Sequence, residues 1–130
     1  MEVIAVMLVI SVLAAVLISR GLNVNTYRVT GELKKVKAHL RYAQVLAMKT
    51  TSTYGIHFNT ATQYWLIRDN VPALIPGEDG TSVNLTSLTI SSGLPVTVTF
   101  DSFGNPGAAN ITIVTNGGSI VINANTGFIP

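Results

Sequence analysis

The chain of 130 residues has no cysteine, few charged residues and a single tryptophan. Without cysteine it can form neither disulfides nor thiolate metal sites. Charged residues make up 11% of the chain and hydrophobic residues 48%, whereas an ordinary soluble domain is about a quarter charged. No catalytic or nucleotide-binding motif occurs, and neither His39 nor His57 lies near a nucleophile motif. We therefore expect an apolar protein that is not an enzyme and uses no cofactor.

The charges are distributed unevenly along the chain. Residues 1–50 hold seven basic and two acidic residues, a net charge of +5, whereas residues 51–130 hold one basic and four acidic residues, a net charge of −3. Such a division indicates two parts with different surroundings or with complementary contact surfaces.

Residues 1–20 form the most apolar segment. Between Val3 and Ile18 only Ser11 is not hydrophobic, and Arg20 follows the run. A signal peptide would begin with basic residues, but here the acidic Glu2 precedes the run. A helix of this length reaches roughly 25 Å, close to the ~30 Å of a bilayer core. We predict a long hydrophobic helix inserted in a membrane or in the core of a filament.

Residues 21–52 combine a break with an amphipathic helix. Residues 21–26 are poor in helix formers, so we expect the helix to be broken near residues 21–28. From residue 29 onward, apolar side chains recur at steps of three and four, which predicts one apolar stripe on a helix. The stripe comprises Val29, Leu33, Val36, Leu40, Ala43 and Ala47.

Residues 53–130 alternate between apolar and polar side chains, the period of β-strands. Asn116-Gly117 lies between two alternating runs and predicts a hairpin. Residues 101–108 predict a further turn, and the prolines and glycines of residues 71–80 predict a loop. The fold class is therefore α+β, with the amphipathic helix packed on an antiparallel sheet that forms a β-rich head.

Several segments together resemble type IV pilins and the pseudopilins of type II secretion. Residues 1–16 read MEVIAVMLVISVLAAV, a glutamate followed by an apolar run as at the processed end of these proteins. The later segments LRYAQVLA (40–47), VTFDSFGNP (98–106) and TGFI (126–129) are similar to the H-type, FimT-like minor pseudopilins. The resemblance covers nearly the whole chain and implies leader processing and N-terminal methylation.

The resemblance gives the first segment a role in assembly. It implies that Glu2 contacts the positive N-terminus of a neighbouring subunit and sets the register, although a carboxylate at this point would also complement the helix N-terminus. The helices would bundle in the filament core through Val3, Ile4, Val6, Leu8, Val9, Ile10, Leu13, Val16 and Leu17.

The function that the resemblance implies is structural. We expect a subunit of a type IV pilus-like filament or a type II secretion pseudopilus, a helical homo-oligomer that includes other pilins and acts in protein transport on a secreted substrate. Before assembly it would lie in the inner membrane with its head in the periplasm. Afterwards it would lie in a periplasmic pseudopilus or an extracellular pilus. The alternatives are a DNA-binding minor pilin and a membrane-anchored binding module that does not polymerise.

Two ligand classes bear on these expectations, nucleic acid and metal ions. Some FimT-like pilins bind DNA through basic residues, but residues 123–130 contain no cation and residues 51–130 are acidic, so we do not expect nucleic-acid binding. Glu78 and Asp79 could supply oxygen ligands to calcium. Two adjacent acids in a loop are more often a solvated turn, so we expect no metal site.

Overall fold

The computed structural model of the chain describes residues 2–19, 24–91 and 93–130, with side chains at all of these positions except 17–19 and 24. Within these ranges, two helices precede seven strands. The elements are α1 (Glu2–Ser19), α2 (Val24–Lys49), β1 (Tyr54–Thr60), β2 (Gln63–Arg68), β3 (Val71–Ala73), β4 (Ser82–Asn84), β5 (Val96–Phe100), β6 (Ile111–Thr115) and β7 (Gly118–Ile122). We call α2 together with β1–β7 the globular part. This order is consistent with the α+β class.

The described helices correct the predicted fold and location. Helix α1 has 18 residues. Within the described ranges, neither helix combines the length and the apolar character required to cross a membrane. The predicted long hydrophobic transmembrane helix is therefore wrong. The inner-membrane, periplasmic and extracellular-pilus locations that we inferred from it are withdrawn with it.

Helix α2 begins earlier than the sequence indicated. It starts at Val24 and runs for 26 residues, so the break predicted near residues 21–28 does not include residues 24–28. Residues 21–23, where the rest of that break would fall, lie outside the described residues. Asn25 and Thr26 are poor helix formers, but propensity is a weak preference that does not by itself end a helix.

All described strand pairs are antiparallel. The larger sheet has the order β3-β2-β1-β5, with β4 also paired to β2, and β6 pairs with β7 in a second sheet. The β6–β7 hairpin turns at Asn116-Gly117, as predicted. Residues 71–73, predicted to be part of a loop, form β3 instead. Its Pro72 is tolerated because β3 is an edge strand, where a missing N–H need not disrupt a ladder.

The core lies between α2 and the sheets. Five of the six predicted stripe residues are buried, and Leu33 is half-buried against the same cluster. They meet the inward side chains of β1, β2 and β5, including Ile56, Phe58, Leu66 and Val98. No buried residue among the described side chains belongs to α1. The globular part therefore closes its hydrophobic core without α1.

Candidate assembly surface

Helix α1 carries more than half of the large apolar side chains that are exposed among the described residues. Its large apolar side chains are between 43% and 71% exposed. They are Val3, Ile4, Val6, Met7, Leu8, Val9, Ile10, Val12, Leu13 and Val16. Every predicted filament-core residue is among them except Leu17, which lies outside the described side chains. Exposed apolar surface of this extent marks an interaction site.

The apolar surface surrounds the helix and does not form a stripe. Successive positions on a helix are about 100° apart, so apolar residues at nearly every position from 3 to 16 point in all directions. A shallow depression of about 260 Å³ lies between Ala5, Val6, Val9 and Ile10. Rows of side chains spaced by four residues form such grooves, which accept ridges of a neighbouring helix. The surface can therefore pack against several helices at once.

The polar residues of α1 do not interrupt this surface. Ser11 Oγ donates a hydrogen bond to Met7 O at 2.8 Å, so its hydroxyl is satisfied within its own helix. Glu2 is exposed in the first turn and is the only acidic residue of the helix. A carboxylate there is favoured by the partial positive charge of the helix N-terminus.

The polar face of α2 fixes the loops of the globular part, and Glu32 makes the strongest of these contacts. Its Oε1 accepts hydrogen bonds from Thr86 N (2.9 Å) and Thr86 Oγ1 (2.6 Å), and its Oε2 from Ser87 N (3.0 Å) and Leu88 N (2.6 Å). Burial alone would raise the pKa of Glu32, but these hydrogen bonds outweigh it and lower the pKa to about 2. The carboxylate thus holds the loop between β4 and β5 against α2.

A second group of contacts joins α2 to the loop before β4. Lys35 Nζ lies 2.7 Å from Glu78 Oε1, and His39 Nε2 lies 3.8 Å from the same oxygen. His39 Nδ1 shares a hydrogen bond of 2.7 Å with the hydroxyl of Tyr64, whose ring is fully buried. Burial lowers the pKa of His39, with Lys35 acting in the same direction and Glu78 opposing it. Burial also raises the pKa of the Tyr64 hydroxyl.

This arrangement bears on the two candidate metal ligands. Glu78 is paired with Lys35, and Asp79 is exposed. Across the part of the chain that the structure describes, no group of three or more histidines and acids is placed to hold a metal ion. Glu78 therefore acts as a link between its loop and α2.

The C-terminal segment is fixed by the last turns of α2. Arg41 Nη2 donates a hydrogen bond to Ile129 O at 2.9 Å. Gln44 Nε2 donates to Gly104 O at 2.9 Å and to Thr126 O at 3.3 Å. One amide group therefore joins the 101–107 turn and the chain end to the helix.

The outer face of the larger sheet carries a groove that sequence analysis did not find. It has a volume of about 290 Å³ and is lined by His57, Trp65, Ile67, Asn70, Pro72 and Thr97. We call it the Trp65 groove. The His57 and Trp65 rings lie 5.0 Å apart at 37°, and His57 Nδ1 shares a 2.6 Å hydrogen bond with Thr97 Oγ1. The alternation of β1, β2 and β5 could indicate that these side chains point outward. It could not show that they are neighbours.

Comparisons with known proteins add no relative. The chain matches no protein-family profile, no curated protein and no solved structure. What the protein does is therefore inferred from the surfaces described above.

Proposed function

We propose that this protein is a structural subunit that polymerises through α1 into a helical filament of the kind formed by type IV pilins and pseudopilins. The observation that carries the proposal is an apolar helix exposed on all sides beside a globular part whose core is complete without it. Burying an exposed Val, Leu, Ile or Met side chain contributes ~1.5–3 kcal/mol. A bundle of α1 helices from several copies would bury these side chains.

Glu2 would set the register of this bundle. A carboxylate surrounded by apolar helices costs several kcal/mol unless it is paired. The positive N-terminus of a neighbouring copy could pair with Glu2 at one relative height only. The resemblance to pilins suggests this contact, and the exposure of Glu2 at the start of α1 is compatible with it.

The function of such a subunit is mechanical, and we propose no reaction for it. Its partners are copies of itself and related filament subunits, and a secreted substrate would meet the surface of the globular parts. A module that binds a partner but stays monomeric is the outcome that the following experiment would distinguish.

The experiment follows assembly of the full chain after removal of a mild detergent, by sedimentation and negative-stain electron microscopy. Val9→Asp places a charge in the middle of α1 and should abolish sedimentable polymer, because the charge would be buried between neighbours. Val114→Asp introduces the same change at an exposed position on β6 and should assemble like the parent chain.

Glu2→Ala should reduce assembly strongly, whereas Asp79→Ala, which removes an exposed acid from a loop, should not. If the parent chain remains monomeric, or if Val9→Asp assembles as well as Val114→Asp, the proposal is wrong and the monomeric binding module is favoured.

A further inference from the structure

We propose that Asn116 is a latent site of covalent modification: the folded chain protects its side-chain amide, which is converted to aspartate or isoaspartate when the loop at residues 86–89 separates from α2. This inference is independent of the proposed filament, since it concerns a single copy of the chain. The reaction needs water and no other reactant, because the attacking group belongs to the chain itself.

The sequence places the required groups side by side. Asn116 is the only asparagine of the chain that a glycine follows. Glycine has no Cβ, so its backbone nitrogen is the least hindered for attack on the preceding side chain. Gly117 N forms a bond to Asn116 Cγ, the Cγ–Nδ2 bond breaks, and the amide nitrogen leaves as ammonia with the proton of Gly117 N. Water then opens the cyclic imide at either carbonyl, which gives aspartate or isoaspartate.

Hydrogen bonds protect this site, and burial does not. Asn116 and Gly117 are both exposed, so water reaches them. Asn116 Oδ1 accepts a hydrogen bond from Thr89 N at 2.9 Å, and Asn116 Nδ2 donates one to Ser87 O at 3.0 Å. The attacking Gly117 N itself donates to Thr115 Oγ1 at 3.1 Å. The side chain must rotate toward Gly117 N to react, and rotation breaks both of its hydrogen bonds, which should slow the reaction roughly thirtyfold.

The residues that protect Asn116 are themselves held by Glu32. The Glu32 carboxylate accepts hydrogen bonds from Ser87 N (3.0 Å) and Leu88 N (2.6 Å). The same segment binds the Asn116 amide through Ser87 O and Thr89 N, and Asn116 N donates to Thr89 O at 3.1 Å. Helix α2, the loop and the β6–β7 turn are therefore joined in series. A local opening that separates the loop from Glu32 also frees the amide.

Modification would make this separation permanent. Conversion to aspartate replaces the Nδ2 donor of Asn116 by a carboxylate oxygen, which cannot donate to Ser87 O. The isoaspartate product also lengthens the backbone of the turn. The turn has little room for this change, because a Cβ built on Gly117 would lie 2.6 Å from Val29 Cγ1 on α2. A chain modified at Asn116 therefore cannot restore the original contacts of the loop.

The loop before β4 offers a matched control. Asp79→Asn creates a second asparagine–glycine pair at an exposed position, where a Cβ built on Gly80 meets nothing within 4 Å. No hydrogen bond of the described residues holds the Asp79 side chain. This variant of the full chain is incubated in mild detergent at neutral pH, and peptide mapping by mass spectrometry follows deamidation at both positions. The amide introduced at position 79 should react roughly thirtyfold faster than Asn116, and in guanidinium chloride the two rates should become similar.

Two second substitutions in the Asp79→Asn background test the dependence on α2. Glu32→Gln should raise the rate at Asn116 roughly fivefold and leave the rate at position 79 unchanged, because only Asn116 depends on the loop. Gln44→Ala removes contacts of α2 with the 101–107 turn and the chain end and should not raise the rate at Asn116. Circular dichroism checks that each variant is folded.

Three results would overturn the proposal. Equal rates at the two positions in the folded Asp79→Asn chain would show that the hydrogen bonds do not protect Asn116. A rate at Asn116 that Glu32→Gln leaves unchanged would show that separation of the loop does not open the site. An equal increase in Glu32→Gln and Gln44→Ala would show that the site opens only when the whole chain unfolds.

Discussion

Replacing Glu32 with glutamine should loosen the loop between β4 and β5 in a way that depends on pH. The carboxylate accepts four hydrogen bonds from residues 86–88, at 2.6–3.0 Å. Glutamine keeps one acceptor oxygen but turns an NH₂ group toward backbone N–H donors. Either the two donors of Thr86 or the backbone N–H groups of Ser87 and Leu88 therefore lose their acceptor. The rest of the fold remains unchanged.

The size of the effect follows from the lowered pKa. Glu32 has an ordinary pKa of 4.5 and a folded-state pKa of about 2. Because one pKa unit corresponds to about 1.4 kcal/mol, this difference corresponds to roughly 3 kcal/mol. Water reaches part of the half-buried carboxylate and weakens its interactions, so we expect Glu32→Gln to lower the free energy of unfolding by ~1.5–2.5 kcal/mol at pH 7.

The sign of the pH dependence is fixed by the direction of the shift. A carboxylate whose pKa is lower in the folded state contributes its full stabilisation above the unfolded-state pKa. That contribution decreases as the pH falls from about 4.5 toward about 2. The difference between the parent chain and Glu32→Gln should therefore be constant from pH 7 to 5 and decrease toward zero at about pH 2.

Urea unfolding of the full chain in mild detergent, followed by Trp65 fluorescence at several pH values, measures this difference. Asp79→Asn is the matched control, because it removes the same charge from an exposed loop residue. The role given to these hydrogen bonds is refuted if the free energy of unfolding of Glu32→Gln differs from that of the parent chain by the same amount at every pH. It is also refuted if Asp79→Asn loses as much stability as Glu32→Gln.

Two further substitutions test how α2 holds the rest of the globular part. In Gly117→Ala, the new Cβ would lie 2.6 Å from Val29 Cγ1, so the β6–β7 turn must move away from α2. We expect the free energy of unfolding, measured in urea, to fall by ~1–3 kcal/mol. Unchanged stability would contradict the close contact. Gln44→Ala removes the hydrogen bonds to the 101–107 turn and the chain end. We expect a loss of ~1–2 kcal/mol and faster proteolysis within residues 123–130, and a cleavage pattern identical to that of the parent chain would count against this link.

Features that depend on neighbouring residues in the chain could be predicted from the sequence. The stripe from Val29 to Ala47 is set by helical spacing alone, and it is buried. The hairpin at Asn116-Gly117 depends on a two-residue turn between alternating runs, and it forms. Both signals lie within about twenty residues, where local periodicity and turn chemistry determine structure.

Features that depend on distant residues could not be predicted. Nothing near Glu32 in the sequence indicates the loop at residues 86–88 that its carboxylate binds. The Trp65 groove requires His57 and Thr97 to be paired across 40 residues, and strand pairing over such distances is not encoded in local periodicity. The transmembrane prediction is wrong, because neither helix in the described part of the chain is long and apolar enough to cross a membrane.

The even distribution of apolar side chains around α1 has a consequence for the symmetry of any polymer that it forms. Apolar side chains cover the helix on all sides from Val3 to Val16, so rotating one helix about its own axis exchanges one apolar contact for another of similar strength. The helices of such a bundle bind each other strongly, but their contacts do not fix the angle by which one subunit is rotated relative to the next. The twist of the polymer would then be determined by the globular parts, and variants altered at their surface should form polymers of several different helical pitches.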